Sequence, residues 1–148
     1  MPKAFALITC DSVNIDQATG KHFIFGHFSS IKVSKFPATH SALTFFVGMS
    51  GFAGGEHSME IKFTPPQDPN AAPSPPPKKQ FFWEADPPPA PSPEKTLLTQ
   101  KFNATGPAQR LYSISELKDL PFEKEGEHLL SVWVDGTKLG EVGLGAAK

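Results

Sequence analysis

A phrase used twice constrains this chain more than any other feature. Gly55-Glu56-His57 opens Ser58-Met59-Glu60-Ile61-Lys62-Phe63, and Gly126-Glu127-His128 opens Leu129-Leu130-Ser131-Val132-Trp133-Val134. The copies agree in phase: Met59, Ile61 and Phe63 correspond to Leu130, Val132 and Val134, on the side of the histidine. Successive side chains of a strand point to opposite faces, so this alternation describes a strand with one buried face. A glycine ahead of such a run suits the turn that feeds it, because Gly accepts positive φ without a Cβ clash. The phrase predicts an all-β chain, an antiparallel two-sheet β-sandwich of immunoglobulin-like or jelly-roll-like form. It names no chemistry.

Other segments fit that frame. Ala4–Cys10 is an apolar run of strand length, and Asp16–Lys21 is a turn with Gly20 at its positive-φ position. His22–Phe28 reads as a central strand covered on both sides, with Phe23 and Phe25 on one face, Ile24 and Phe28 on the other. Residues 31–40 read as a crossing loop, since Phe36-Pro37 favours extended backbone. In Ser41–Met49, Leu43, Phe45, Val47 and Met49 face one way, Thr44 and Phe46 the other. Thr96–Asn103 is a further strand. Ser113–Phe122 reads as one helical turn, capped by Ser113 or Ser115 and stopped by Pro121. Asp135-Gly136 is a hairpin signal leading into Lys138–Leu144.

Most of the 16 prolines lie between Pro65 and Pro93. Proline lacks the donor that a ladder needs, so these tracts stay out of a sheet interior. They read as extended arms on either side of Phe81-Phe82-Trp83. Residues 1–148 are therefore expected to form a single sandwich domain, with a proline-rich insert at 65–95.

The composition argues against several function classes. A net charge of −1 provides no field toward nucleic acid or an anionic membrane. The single cysteine, Cys10, rules out an intramolecular disulfide and a multi-cysteine zinc site. The opening residues lack the long apolar stretch of a secretory signal, and no run approaches a membrane span. The expectation is a cytoplasmic protein without membrane contact. His22 and His27, five apart in one expected strand, point to opposite faces and cannot share an ion. His57 and His128 are expected to pack at the sandwich edge and bond nearby backbone. Cys10 reads as a small hydrophobe at a strand end. No metal, no cofactor and no catalytic residue is expected.

What remains is apolar. If Leu130, Val132 and Val134 face the core, Trp133 faces outward; by the same phase, Phe46 does too. Phe81, Phe82 and Trp83 add three adjacent rings. These five aromatics are the candidate binding residues, either covered by the insert folding back over a sheet or offered to a protein partner, a sister subunit or a sugar ring. The function expected is a non-enzymatic binding or assembly module working through protein–protein contact, self-association included. The alternative is a carbohydrate-binding or metal-dependent hydrolytic sandwich.

The order of features also resembles a family of small, uncharacterised bacterial β-sandwich proteins. The matching pieces are the strand closing on Cys10-Asp11, Gly20-Lys21 followed by Gly26-His27-Phe28, Phe36-Pro37, and Gly55-Glu56-His57. Phe122, four residues ahead of Gly126-Glu127-His128, and Asp135-Gly136 complete the series. The likeness covers most of 4–63 and 111–144 and implies no catalytic residues. The proline-rich middle is particular to this chain.

Overall fold

Ten strands build the protein in the computed structural model, which describes residues 1–66 and 94–148. They are β1 (Lys3–Cys10), β2 (Ser12–Ile15), β3 (His22–Phe25), β4 (Ser30–Lys32) and β5 (Ala38–Ser50), then β6 (Gly55–Thr64), β7 (Lys95–Ala104), β8 (Leu111–Phe122), β9 (Gly126–Val134) and β10 (Thr137–Ala147). The described residues contain no helix. Hence none is long and apolar enough to cross a membrane. The strands form a three-stranded sheet, β1-β5-β8, a five-stranded sheet, β4-β10-β9-β6-β7, and a hairpin, β2-β3. Every pairing is antiparallel except β4 with β10.

The repeated phrase does more than mark two strands. β6 and β9 are neighbours, with Met59 opposite Val134, Ile61 opposite Val132 and Phe63 opposite Leu130. Their glycines take the positive φ the turns require, 124° at Gly55 and 135° at Gly126. Because the pair is antiparallel, His57 and His128 sit at opposite ends of the sheet. All six apolar partners are buried, and they join Leu43, Phe45 and Val47 of β5 with Leu117, Leu120 and Phe122 of β8 in one hydrophobic cluster. The Phe63 and Phe122 rings meet edge to face, centroids 5.6 Å apart, so the two sheets share a core. Burying that many apolar side chains is the main favourable term for such a chain.

Two segments depart from expectation. His22–Phe28 is not a central strand. Pairing stops at Phe25, because Gly26 turns the chain at φ 66°, and β3 has only β2 beside it. Phe23 and Phe25 are half-exposed. Ser113–Phe122 holds no helical turn: it lies inside β8, which pairs with β5 along its length. Asp119, at φ 54°, reverses the inside–outside phase there. Leu117 faces the core on one side of it, and Leu120 and Phe122 on the other. The loop expected over 31–40 also gives its two ends to β4 and β5, around a cis Phe36–Pro37 bond.

Candidate functional site

The outward faces of the two sheets differ in chemistry. On the five-stranded sheet that face is polar, and its charges pair with one another: Lys101 with Glu56 at 3.3 Å, Lys62 with Glu60 at 3.8 Å and Glu94 at 3.9 Å, and Lys138 with Glu141. Trp133 lies here, half-buried. Its Nε1–H donates to Ser131 Oγ at 2.9 Å, and Lys62 Nζ stands 4.3 Å from the ring centroid. The ring is occupied on its edge and its face, as an amphipathic side chain among charges prefers.

The outward face of β1-β5-β8 is apolar. Ile8, Phe46 and Ile114 run across its three strands in register. Phe46 does turn away from the core, as its phase predicts, yet it is only 5% exposed. The cause is the hairpin. Cross-strand partners share a face, so Val13, Ile15, His22 and Ile24 form one side of β2-β3, and Ser12, Asn14, Phe23 and Phe25 form the other. The His22 side is laid over the sheet: its ring meets Phe46 at 5.2 Å and Tyr112 at 4.5 Å. Asp11 N–H donates to the carbonyls of Phe25 and Gly26, tying the hairpin down. Phe46 as an accessible contact is therefore a correction, made by a covering element that strand phase does not reveal.

That covering leaves other rings outside. Phe5, Ile15, Phe23, Phe25, Tyr112 and Ile114 are each between 39% and 49% exposed, and with Met1 they are the large apolar side chains at the surface of the described residues. All six belong to the hairpin or to the sheet face beneath it. Phe5 occupies a register break in β1, and its ring lies on Gly48, where a Cβ would come within 2.5 Å. The edge of that ring meets Tyr112 at 5.7 Å, and the Arg110 guanidinium stands 5.4 Å above it. Sequence reasoning missed Phe23 and Phe25 by treating His22–Phe28 as interior. The signal was present: two four-residue runs on either side of a turn, the second ended by Gly26. Phe81, Phe82 and Trp83, with residues 67–93 of the insert that carries them, lie outside the described residues.

Among the described residues, His57 and Asp135 form a close polar pair. His57 Nδ1 is 2.6 Å from Asp135 Oδ2, and its Nε2 is 2.7 Å from the Ala53 carbonyl. Both partners accept, so His57 satisfies them by donating from both nitrogens, as imidazolium does. The Ala53 carbonyl and Asp135 hold its pKa above the usual value. The bond from His57, joined by the Ser58 N–H, holds the Asp135 carboxyl below its own. Neither ring nitrogen is left to take a proton from a substrate, although a cleft of about 400 Å³ opens beside it, with Lys3 and Lys138 on its walls. His57 is a clasp that fastens residue 53 and the Asp135-Gly136 turn to the start of β6.

His128 is the converse case. It is buried, stacked on Phe63 and edge-on to Phe122, with Nδ1 3.2 Å from the Gly126 carbonyl. Burial pushes its pKa down. Cys10 is buried under the hairpin with Sγ 3.6 Å from the Thr44 carbonyl, and burial, then Asp11, pushes its thiol up, away from a reactive thiolate. Among the described residues no three His, Cys, Asp or Glu side chains converge as a metal site.

The family described as "Family of unknown function (DUF6941)" matches residues 5–146. The chain belongs to that family. DUF6941 membership agrees with the resemblance to an uncharacterised family drawn from the sequence. No curated protein matches the chain. Among solved structures it is similar to a β-glucosidase from Kluyveromyces marxianus, at 13% identity over 82% of this chain with a TM-score of 0.39. The glucose complex of that enzyme gives 14% identity over 78% of this chain, again with a TM-score of 0.39. The chain spans 16% and 14% of the length of those two structures. Likeness at that level carries nothing about this DUF6941 chain.

Proposed function

We propose that the chain is a single two-sheet β-sandwich that works by binding, as a non-enzymatic module whose contact surface is the hairpin-covered side of β1-β5-β8. One observation carries the reading: the half-exposed large apolar residues, Met1 apart, gather on that side, while the opposite side is covered with paired charges. Apolar side chains scattered singly over a surface need no explanation, but a gathered set rimmed by polar groups marks an interaction site. Phe23 and Phe25 are its most prominent members, being two apart on the outer side of a short hairpin. Rings presented that way give a partner contact area at small entropic cost. Ser12 and Asn14 stand opposite Phe25 and Phe23 on that outer side and give the rings a polar rim.

The test compares wild-type protein with a Phe23→Ser/Phe25→Ser chain and with Trp133→Ser on the charged side. Each is used as bait in the native extract and run in the analytical ultracentrifuge, with circular dichroism to confirm folding. The hairpin variant is expected to lose captured partners or association, and the Trp133 variant to keep them. A hairpin variant that captures and sediments as wild type does would refute the reading.

A further inference from the structure

Open sheets end in edge strands, whose outward N–H and C=O groups invite another strand, and natural proteins blunt them. Among the described residues, three of the four edges of the larger sheets are short or broken in register. β4 is three residues long. β7 opens on Lys95, carries Lys101, and breaks register opposite Ile61 and Lys62. β1 opens on Lys3 and breaks register at Phe5, and its Thr9 carbonyl accepts from the Phe28 N–H at 3.1 Å.

β8 has neither a register break nor a covering bond over its first eight residues, and the charges it carries there, Glu116 and Lys118, are of opposite sign. From Leu111 to Lys118 it pairs with β5 in unbroken register, without proline or glycine, and its first irregularity is Asp119. Two clefts, of about 150 and 100 Å³, run along the seam between β8 and β7, and among the described residues no strand pairs with β8 on that side. The outward side chains of the run are Tyr112, Ile114, Glu116 and Lys118, all exposed. The last two matter most. Most charges on the five-stranded sheet find a partner, but Glu116 and Lys118 form no ion pair among the described residues.

We infer that β8 is the edge through which two copies of this chain join, antiparallel, about a two-fold axis at Leu117. Residues directly opposite in an antiparallel pair share a face, and two residues on one strand meet in reverse order on its symmetry mate. An axis at Leu117 sets Glu116 of each copy against Lys118 of the other, so the two idle charges satisfy each other twice. The ladder runs from Ser115 to Asp119, ending where positive φ at Asp119 turns the strand. Axes at Ile114, Ser115 or Glu116 leave these charges against Tyr112, Ile114 or their own kind. The charge pattern thus selects both the occupant and the register. Joining two three-stranded sheets in this way places Tyr112 and Ile114 of both copies beside the seam. The pairing rests on the reading of this side as a contact surface.

Sedimentation equilibrium of the full chain from about 1 to 200 µM tests it, with Glu116→Lys, Lys118→Glu and the double swap. Wild type is expected to dimerise. Each single swap puts like charges opposite at two places and is expected to weaken dimerisation about 10- to 30-fold. The double swap restores it, as does mixing the two single variants, because a lysine of one chain then meets a glutamate of the other at both places. Wild-type chain that stays monomeric, single swaps that dimerise normally, or mixing without recovery would each overturn the pairing. Failure here leaves the wider reading standing, since that is decided separately by the Phe23 and Phe25 variants.

Discussion

Ile61 and Val132 face each other across the middle of the five-stranded sheet, both fully buried. Ile61→Ala removes three carbons and Val132→Ala two. At about 0.8 kcal/mol per buried methylene the transfer losses are roughly 2.4 and 1.6 kcal/mol. Incomplete collapse of the cavity adds to both, for totals of about 3–4 and 2–3 kcal/mol. Because the two side chains touch the same space, the double variant should depart from additivity by at least about 0.5 kcal/mol, in either direction. Urea unfolding followed by circular dichroism measures this, with an unchanged m-value showing that the denatured state is comparable. Thr99→Ala, exposed on β7, serves as control and is expected within about 0.5 kcal/mol of wild type. Losses well below about 1 kcal/mol at either site, or additivity within about 0.3 kcal/mol, would mean that the strands do not pair in this register.

Phe46→Ala is expected to cost about 3–5 kcal/mol although it faces away from the main core, because the hairpin covers it; a loss below about 1 kcal/mol would place the hairpin elsewhere. Asp135→Asn takes away the anionic acceptor of His57, so the raised His57 pKa should fall back toward the ordinary value of about 6.5 in an NMR titration. The two histidines give stability opposite dependences on pH. The contribution of His57, whose folded pKa is raised, is full below the unfolded value and is lost as pH rises through the folded one. That of His128, whose folded pKa is lowered, is held above the unfolded value and is lost as pH falls toward the folded one. Asp135→Asn should therefore reduce the alkaline loss, the Ala53 carbonyl still holding His57 up, remove the acid loss of Asp135 itself, and leave that of His128 in place, as denaturation at stepped pH would show. Cys10 should react with a thiol reagent far more slowly in the native chain than in urea, and equal rates would contradict its burial.

The parts of this fold legible in sequence are those where one strand has one buried side. Met59-Ile61-Phe63 and Leu130-Val132-Val134 alternate cleanly, and their glycines mark where the strands begin. His22–Phe25 misleads because rings on both sides of a run describe either a strand between two layers or a small hairpin with one side in water. Only the pairing decides, and pairing is not local. Ser113–Phe122 misleads for another reason. The reversal at Asp119 moves the buried positions from Leu117 to Leu120, a spacing of three that imitates a helix. The contact side was hidden by the same limit. The outward phase of Phe46 can be read from its strand, but not that a hairpin some twenty residues upstream would cover it.

The pairing of β6 with β9 has a cost in time. Phe63 and Leu130 meet across about 70 residues of intervening chain, and a ribosome adding 5–20 residues per second takes roughly 4–14 s to make them. For that interval Met59, Ile61 and Phe63 have been synthesised without the strand that completes their sheet. The adjacent hairpin β9-β10 closes quickly once made, so docking of that late hairpin onto β6 is the step on which the rest waits. Nascent chains halted before Gly126 would hold β6 with an unfinished edge, the form that holding chaperones and proteases recognise.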